Sequence, residues 1–242
     1  MAACLFVAVV LGSSSDDSPQ TDHFLVVGQF STGVPGLAMP DKWKPLAFKG
    51  IDRHTEYRLV RDANTVVLQA QSDAAASGLI REINIDVAEY SFVEWRWKVA
   101  NVLREGDITT KKGDDSPARL YIAFAYDPDK VGPFEKLKFM ILRLIYGSYP
   151  PSGAINYIWA SSAPVGSVLP NRHAHRVRMF VLESGPGKVE EWVLERRNVY
   201  DDYQQAFGED PPLISGVGIM TDTDNTGASA TAYYGDIVFK RE

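Results

Sequence analysis

Short runs of alternating hydrophobic and polar residues dominate the chain from residue 23 onward, and Gly, Pro, Asp or Asn separate one run from the next. Alternation with a period of two is typical of a strand with one buried face. The runs that fit this pattern cover residues 52–60, 65–70, 77–85, 92–99, 118–126, 155–160, 176–182, 190–197, 215–221 and 230–239. Short, regularly spaced strands without alternating helices predict an all-β fold, here a jelly-roll-like antiparallel β-sandwich.

Two segments interrupt the β pattern and are predicted to be helical. Residues 133–146 begin with Pro and are followed by Gly, the usual asymmetry of helix ends. Apolar residues recur there at i, i+3, i+4 and i+7, which predicts one inserted amphipathic helix. A second, short helix is predicted over 201–207. The inserted helix is expected to dock on the sandwich, and a lid or a contact with a membrane surface is the alternative.

The first 22 residues differ from the rest of the chain. Residues 4–11 are apolar, and a Ser- and Asp-rich stretch follows them. This order predicts a signal-like segment and a flexible lead-in, hence an exported protein of the periplasm or cell envelope. A packed or disordered N-terminal strand is the alternative. The apolar run is too short to span a bilayer, and residues 23–242 are expected to form a single sandwich domain.

Composition and charge exclude some classes of function. The 242 residues are 45% hydrophobic, enough for a sizeable core, and the formal net charge is −6. That charge argues against nucleic acid as a partner, because phosphate binding relies on basic patches. A single Cys excludes an intrachain disulfide. No nucleotide-binding, zinc-protease or serine-hydrolase motif is present.

An oxygen-rich loop near the C-terminus is the candidate metal site. Asp222, Asp224 and Asn225 stand beside a turn glycine, and Asp236 follows on the last predicted strand. Such side chains suit a structural Ca²⁺. They also suit an ordinary β-turn or a polar ligand site without a metal, and the spacing does not match an EF-hand. The three interpretations stay open at this point.

A polar groove is the candidate ligand site. Period two puts Trp95 and Trp97 on one strand face, most simply the core, and Arg96 on the other. On the next strand Arg119 and Tyr121 share the face that does not look like core. The groove is predicted to contain Arg96, Arg119, Tyr121, Tyr157 and Trp159, with Arg197, Asp114, Asp115 and Asp202 as further ligand-binding residues. A solvated charged face, and an Arg197–Asp202 ion pair that only fixes a corner, are the alternatives.

Several short motifs together resemble one bacterial family, the domain of unknown function 3047. They are S-G-L at 77–79, W-R-W-K-V at 95–99, G-D-D at 113–115 with Arg119 after it, Y-I-W-A at 157–160, R-N-V to F-G at 197–208, T-D-T-D-N-T-G at 221–227 and Y-Y-G-D-I at 233–237. The resemblance covers about residues 45–242 and implies an exported, mostly Gram-negative protein without an assigned activity. The architecture also looks like the jelly-roll sandwiches of carbohydrate-binding modules, many of which end on a strand with an Asp near bound Ca²⁺.

These observations predict an envelope or periplasmic protein that binds a carbohydrate or another polyhydroxylated ligand, including an acidic one. Planar Arg and carboxylate groups can bridge sugar hydroxyls, and aromatic faces can stack on sugar rings. The alternative is a glycan-active lyase or hydrolase that uses Asp carboxylates. A second alternative is a structural envelope protein that contacts a partner or a membrane through residues 133–146.

Overall fold

Two sheets of seven strands each make up the part of the chain that the structure, a computed structural model, describes: residues 23–36, 39–126 and 151–242. The predicted inserted helix at 133–146 and the signal-like segment at 1–22 lie outside these described residues. The predicted all-β sandwich is confirmed, and almost every strand pair is antiparallel.

The first sheet contains both the N-terminal and the C-terminal described strands. Its members are β1 (Phe24–Gly28), β3 (Glu56–Asp62), β4 (Thr65–Asp73), β6 (Phe92–Val99), β11 (Val193–Asn198), β13 (Ser229–Tyr234) and β14 (Ile237–Lys240). The spatial order is β1-β14-β6-β13-β4-β3, and β11 pairs with β6.

The second sheet carries the strands around the candidate site. Its members are β2 (Lys44–Leu46), β5 (Ala76–Ile85), β7 (Ala118–Phe124), β8 (Gly153–Ala160), β9 (Val168–Pro170), β10 (Val177–Ser184) and β12 (Ile214–Asp222). The spatial order is β2-β5-β12-β7-β8-β10-β9, and the β8–β10 pair is parallel.

Most strand predictions hold, and the differences concern short or interrupted segments. The sequence pattern missed β1, β2 and β9, of which β2 and β9 have only three residues each and so show little alternation. The predicted strand 230–239 is two strands, β13 and β14, which Gly235 and Asp236 separate and which both pair with β6.

The short helix exists as α1 (Val199–Phe207) and begins two residues before the predicted start. The side chain of Asn198 accepts hydrogen bonds from the backbone N–H groups of Tyr200 and Asp201, so it is the N-cap. Gly208 ends the helix with a φ of 72°. Within the described residues, no helix is long and apolar enough to cross a membrane.

Aromatic rings from both sheets form the centre of the core. Trp95 and Trp97 of β6 lie edge to face with centroids 5.4 Å apart. Tyr157 packs against Trp95 at 5.2 Å, and Trp159 against Trp97 at 6.2 Å. The tryptophan pair is therefore core, as its spacing predicted. Tyr157 and Trp159 point into the same core and do not line a groove, because their strand is buried on both faces.

A buried carboxylate ties α1 to both sheets. Asp202 is 3% exposed and accepts a hydrogen bond from the Tyr157 hydroxyl at 2.6 Å. Arg197 of β11 donates to it through Nε at 2.9 Å and also through Nη2. The Arg197–Asp202 pair thus fixes the strand-to-helix corner, the structural alternative that the sequence left open.

Replacing Asp202 with Ala should lower the free energy of unfolding by roughly 2–4 kcal/mol, because the half-buried Arg197 and the buried Tyr157 hydroxyl both lose their partner. Asp201→Ala is the matched control, since Asp201 is the neighbouring, exposed acidic residue in the same first turn. Urea denaturation followed by circular dichroism measures both variants. If both variants lose the same free energy of unfolding, Asp202 acts only through the helix dipole.

Candidate functional site

A cavity of about 430 Å³ opens on the outer face of the second sheet. Leu120, Ile122 and Phe124 of β7 point into the core, so Arg119 and Tyr121 face outward and line the cavity. Met220 of β12 lies beside Arg119 in register and lines it too. The volume falls in the range typical of small-molecule sites.

Two loops complete the walls of this cavity. The end of β2 and the stretch after it contribute Leu46, Phe48 and Ile51. The segment between β9 and β10 contributes Asn171 and His173, together with Ala174 and the first residue of β10, Val177. The cavity therefore has an apolar wall, and its polar groups gather near Arg119.

Arg119 is the centre of the polar end. Arg119 is 1% exposed, and it donates to Asp222 through Nε at 2.6 Å and through Nη2 at 3.0 Å. Nη2 also donates to the backbone carbonyl of Asp114 at 2.8 Å and to its carboxylate at 3.3 Å. Burial disfavours the charged guanidinium, but Asp222 and Asp114 more than compensate and raise the pKa of Arg119 well above its ordinary value.

The carboxylate of Asp222 is buried, unlike most carboxylates in proteins. It is 3% exposed at the end of β12, and burial raises its pKa to about 7. Arg119 opposes that shift, whereas the neighbouring carboxylates Asp115 and Asp114 add to it. Burial also raises the pKa of Tyr121 to about 12, so its hydroxyl stays protonated at neutral pH.

Asp115 holds the conformation of the loop after β12, which the sequence suggested as a metal site. Its carboxylate accepts hydrogen bonds from the backbone N–H and side-chain amide of Asn225 at 3.3 and 3.1 Å. It also accepts from the backbone N–H and the hydroxyl of Thr226, both at 2.7 Å. Gly227 completes the turn with a φ of 67°, which a residue with a Cβ would adopt only at a cost. The loop is a turn, and Asp115 organises it.

The carboxylates of Asp115, Asp222 and Asp224 still form a compact acidic group, with their oxygens within 4.8 Å of one another. Burial, and then Asp115, raise the pKa of Asp224 above its ordinary range. A cation bound here would share Asp222 with Arg119, which already donates to both of its oxygens. Calcium at this position stays a prediction, with Asp115 added to its ligands.

Asp236 does not belong to this acidic group. It lies between β13 and β14 and accepts a hydrogen bond from the backbone N–H of Ser31 at 2.8 Å. Together with Arg96 it lines a different depression, on the first sheet. The predicted four-residue metal set is thus split, because the chain crosses from the second sheet to the first between β12 and β13, before Asp236 is reached.

The predicted groove is not assembled either. Arg96 lies on the outer face of the first sheet, where its guanidinium stacks 4.5 Å from the centre of the Trp192 ring. Arg119 belongs to the second sheet, so the two arginines are not neighbours. Arg197 is engaged by Asp202. Of the predicted ligand residues, Asp114, Arg119 and Tyr121 line the cavity.

Polar side chains at the mouth of the cavity were not predicted from the sequence. Asn171 donates to the Asp114 carboxylate at 3.4 Å, and the half-exposed His173 places Nε2 3.5 Å from the same carboxylate. His173 and His175 form an H-x-H pair in the sequence, but a zinc site needs further ligands at a suitable spacing, and the loop carrying Asn171 has no motif. No signal in the sequence could have placed either residue beside Arg119.

A buried amide lies on the same face one strand away. Asn156 of β8 pairs in register with Tyr121 and is fully buried. Neither its Nδ2 nor its Oδ1 has a hydrogen-bond partner in the part of the chain that the structure describes. This face therefore retains unused hydrogen-bonding capacity next to the cavity.

A larger depression, of about 710 Å³, lies at one end of the first sheet. Two of its charged side chains pair with each other: Arg53 donates to Asp73 at 2.6 Å, and the Ser229 hydroxyl donates to the same carboxylate at 2.7 Å. Both partners of that ion pair are exposed. It lacks an apolar wall and a buried charge, so the smaller cavity is the better candidate.

Fold and cavity together define a β-sandwich with a small-molecule-sized site on the outer face of one sheet. The chain belongs to the family described as "Protein of unknown function (DUF3047)", whose match covers residues 41–238. The family membership predicted from the motifs is thereby confirmed. A search of curated proteins finds no match.

Two solved structures are similar in fold. One is the "Family 11 Carbohydrate-Binding Module of cellulosomal cellulase Lic26A-Cel5E of Clostridium thermocellum", with 8% identity, a TM-score of 0.44, and coverage of 90% of this chain and 95% of that one. The other is the "Xyloglucanase domain of NopAA, a type three effector from Sinorhizobium fredii in complex with cellobiose", with 8% identity, a TM-score of 0.39, and coverage of 86% and 100%. At such identities the likeness concerns the fold alone.

Arg119→Met should lower the free energy of unfolding by about 3–5 kcal/mol, because it leaves Asp222 and Asp114 buried without a counter-charge. The control is Arg53→Met, which removes an exposed ion pair worth less than about 1 kcal/mol.

The loss of unfolding free energy in Arg119→Met should grow as the pH rises. Without Arg119 the pKa of Asp222, already raised to about 7, rises further, while in the unfolded chain it is about 3.9. The folded state then binds a proton that the unfolded state releases, so raising the pH destabilises the variant. Urea titrations at pH 5 and pH 8 measure this, and equal deficits at both pH values would contradict the account.

For calcium, thermal unfolding in EDTA and in added Ca²⁺ is the direct test. If Ca²⁺ binds only the folded state, a Ca²⁺ concentration a hundred times Kd stabilises the protein by about 2.7 kcal/mol. We expect this shift to vanish in Asp224→Ala and to persist in Asp236→Ala, since Asp236 lies on the other sheet. No shift in the unmodified protein, or a shift that survives Asp224→Ala, would leave the acidic group without a metal.

Proposed function

We propose that this protein binds a carbohydrate or another polyhydroxylated ligand in the cavity on the second sheet. The observation that carries the proposal is the polar end of the cavity, where carboxylates, amides and an imidazole surround one opening: Asp114, Asn171, His173, Asp224 and Asn225. These groups offer both donors and acceptors within one cavity, which is what vicinal hydroxyls require.

The buried ion pair supports the proposal because it makes the site rigid. Arg119 holds Asp114 and Asp222 in place, and Asp115 holds the turn that presents Asp224 and Asn225. A ligand would meet side chains that are already ordered, so it would lose less free energy on immobilising them. Tyr121 and Phe48 add ring surface to the same cavity.

A glycan-active enzyme is the second candidate, and one observation favours it. Three carboxylates line one cavity, and one of them, Asp222, has a pKa raised to about 7 by burial. A carboxyl that is protonated near neutral pH can act as a general acid. Against this, both oxygens of Asp222 accept hydrogen bonds from Arg119. Chromatography of any bound glycan after incubation separates binding from cleavage.

Location and partners follow the same proposal. An exported protein of the periplasm or envelope would meet glycans, and the apolar residues 4–11 motivate that location. Fractionation of cells that express the full chain, compared with a chain lacking residues 1–22, tests it. The alternative of a structural envelope protein rests on residues 133–146, and the described residues add nothing to it.

Removing a polar side chain from the cavity mouth should weaken glycan binding. After a glycan-array screen identifies a binder, calorimetry should show about a three- to tenfold weaker Kd for His173→Ala, the value of one hydrogen bond. His175→Ala is the control, because His175 lies two residues away and does not line the cavity. Identical affinities in both variants would place the ligand elsewhere, and an empty array would remove the carbohydrate proposal.

A further inference from the structure

We propose, building on the carbohydrate function above, that the ligand is an amphipathic glycoside: a polyhydroxylated head that is uncharged or amine-bearing, joined to an apolar chain. The head would lie among the carboxylates near Arg119, and the chain along the apolar wall. Two independent features of the cavity, its wall and the charge of its polar end, lead to this ligand class.

The wall is unusual for the outer face of a sheet. Leu46, Phe48, Ile51 and Val177 are all only half-buried, and all line the cavity. A solvated sheet face normally carries polar side chains. Most of these wall residues are aliphatic, so they offer few flat rings on which a bare sugar could stack. An apolar chain would cover them and remove that surface from water.

The floor leaves room for such a chain. Gly78 of β5 lies in register between Leu46 of β2 and Met220 of β12, both of which line the cavity. A Cβ at Gly78 would come within 2.8 Å of the Ile219 carbonyl oxygen, so this position stays without a side chain. The next residue on the same face of β12 is Gly218, which borders Tyr121. Because Gly78 and Gly218 have no side chains, they leave space above the sheet beside the apolar wall.

The polar end carries an excess of negative charge. Asp114, Asp222 and Asp224 line it, and Arg119 is the cationic side chain that faces them among the described lining residues, besides His173 at the mouth. Arg119 is 1% exposed; its Nε and Nη2 donate to Asp222 and Asp114, and its Nη1 lies 4.0 Å from the sulfur of Met179. Among the described lining residues, an anionic head would therefore meet carboxylates and, besides His173, an arginine that is already paired with two of them. We therefore favour an uncharged or amine-bearing head over the acidic ligand that the sequence also allowed.

Calorimetry with matched probes tests the proposal. For each of four sugars (glucose, galactose, mannose and N-acetylglucosamine) the methyl glycoside supplies the head alone, and the octyl glycoside, below its micelle concentration, supplies head and chain. Octyl glucuronide supplies an anionic head with the same chain. We expect at least one octyl glycoside to bind at least about tenfold more tightly than both its methyl counterpart and octyl glucuronide.

The failures are distinguishable. If a methyl glycoside binds as tightly as its octyl form, the carbohydrate function stands and the amphipathic ligand is wrong. If octyl glucuronide binds as tightly as octyl glucoside, the charge argument is wrong. If no member of the panel binds, both this inference and the proposed function fail. Octyl glycosides that act only by dissociating a dimer of the protein would assign the wall to a second copy and overturn the inference.

Two pairs of variants test whether the ligand binds in this cavity. Val177→Asp puts a charge on the apolar wall and should weaken octyl-glycoside binding at least about tenfold, whereas Val165→Asp alters an exposed Val outside the cavity and should not. Asp224→Asn should strengthen octyl glucuronide binding, whereas Asp41→Asn, which removes an exposed charge that does not line the cavity, should not. Equal effects within either pair would move the ligand out of this cavity.

Discussion

The charge of Arg119 is the constraint on which the rest of the site depends. A guanidinium taken out of water is costly unless carboxylates and carbonyl groups replace its hydration. Asp222 from the end of β12 and Asp114 from the loop before β7 provide this replacement. Because those two residues come from distant parts of the chain, satisfying Arg119 also fixes how the loop before β7 sits against the second sheet.

The order created by Arg119 extends to the cavity. Asp115, next to Asp114, binds the N–H groups of Asn225 and Thr226 and so positions the turn after β12. Asn171 and His173, from the segment between β9 and β10, approach the carboxylate of Asp114. One buried cation thus gathers polar groups from three segments around a single opening. The apolar wall from the stretch after β2 completes a site with two chemically different ends, which is the physical basis for an amphipathic ligand.

Much of the fold could be predicted from the sequence, because strand alternation is a local property. The alternation put Trp95 and Trp97 in the core and turned Arg119 away from it, and both placements are right. The prediction of a shared groove was wrong. It assumed that Arg96 and Arg119 are close because their strands follow one another in the sequence, whereas these strands belong to different sheets. Asp236 was misplaced for the same reason. No pattern in the sequence indicated that Phe48 or His173 lies at this cavity, since loop residues acquire their neighbours only through the tertiary fold.

The most direct test of the central claim is an NMR measurement of the Arg119 Nε–H group. We expect a resonance that exchanges slowly with water, because the group is buried and donates to Asp222 at 2.6 Å. We also expect an octyl glycoside to shift this resonance and to leave that of Arg96, on the first sheet, unchanged. A rapidly exchanging Arg119 signal, or one that stays fixed while the ligand binds, would contradict a binding cavity organised around this buried charge.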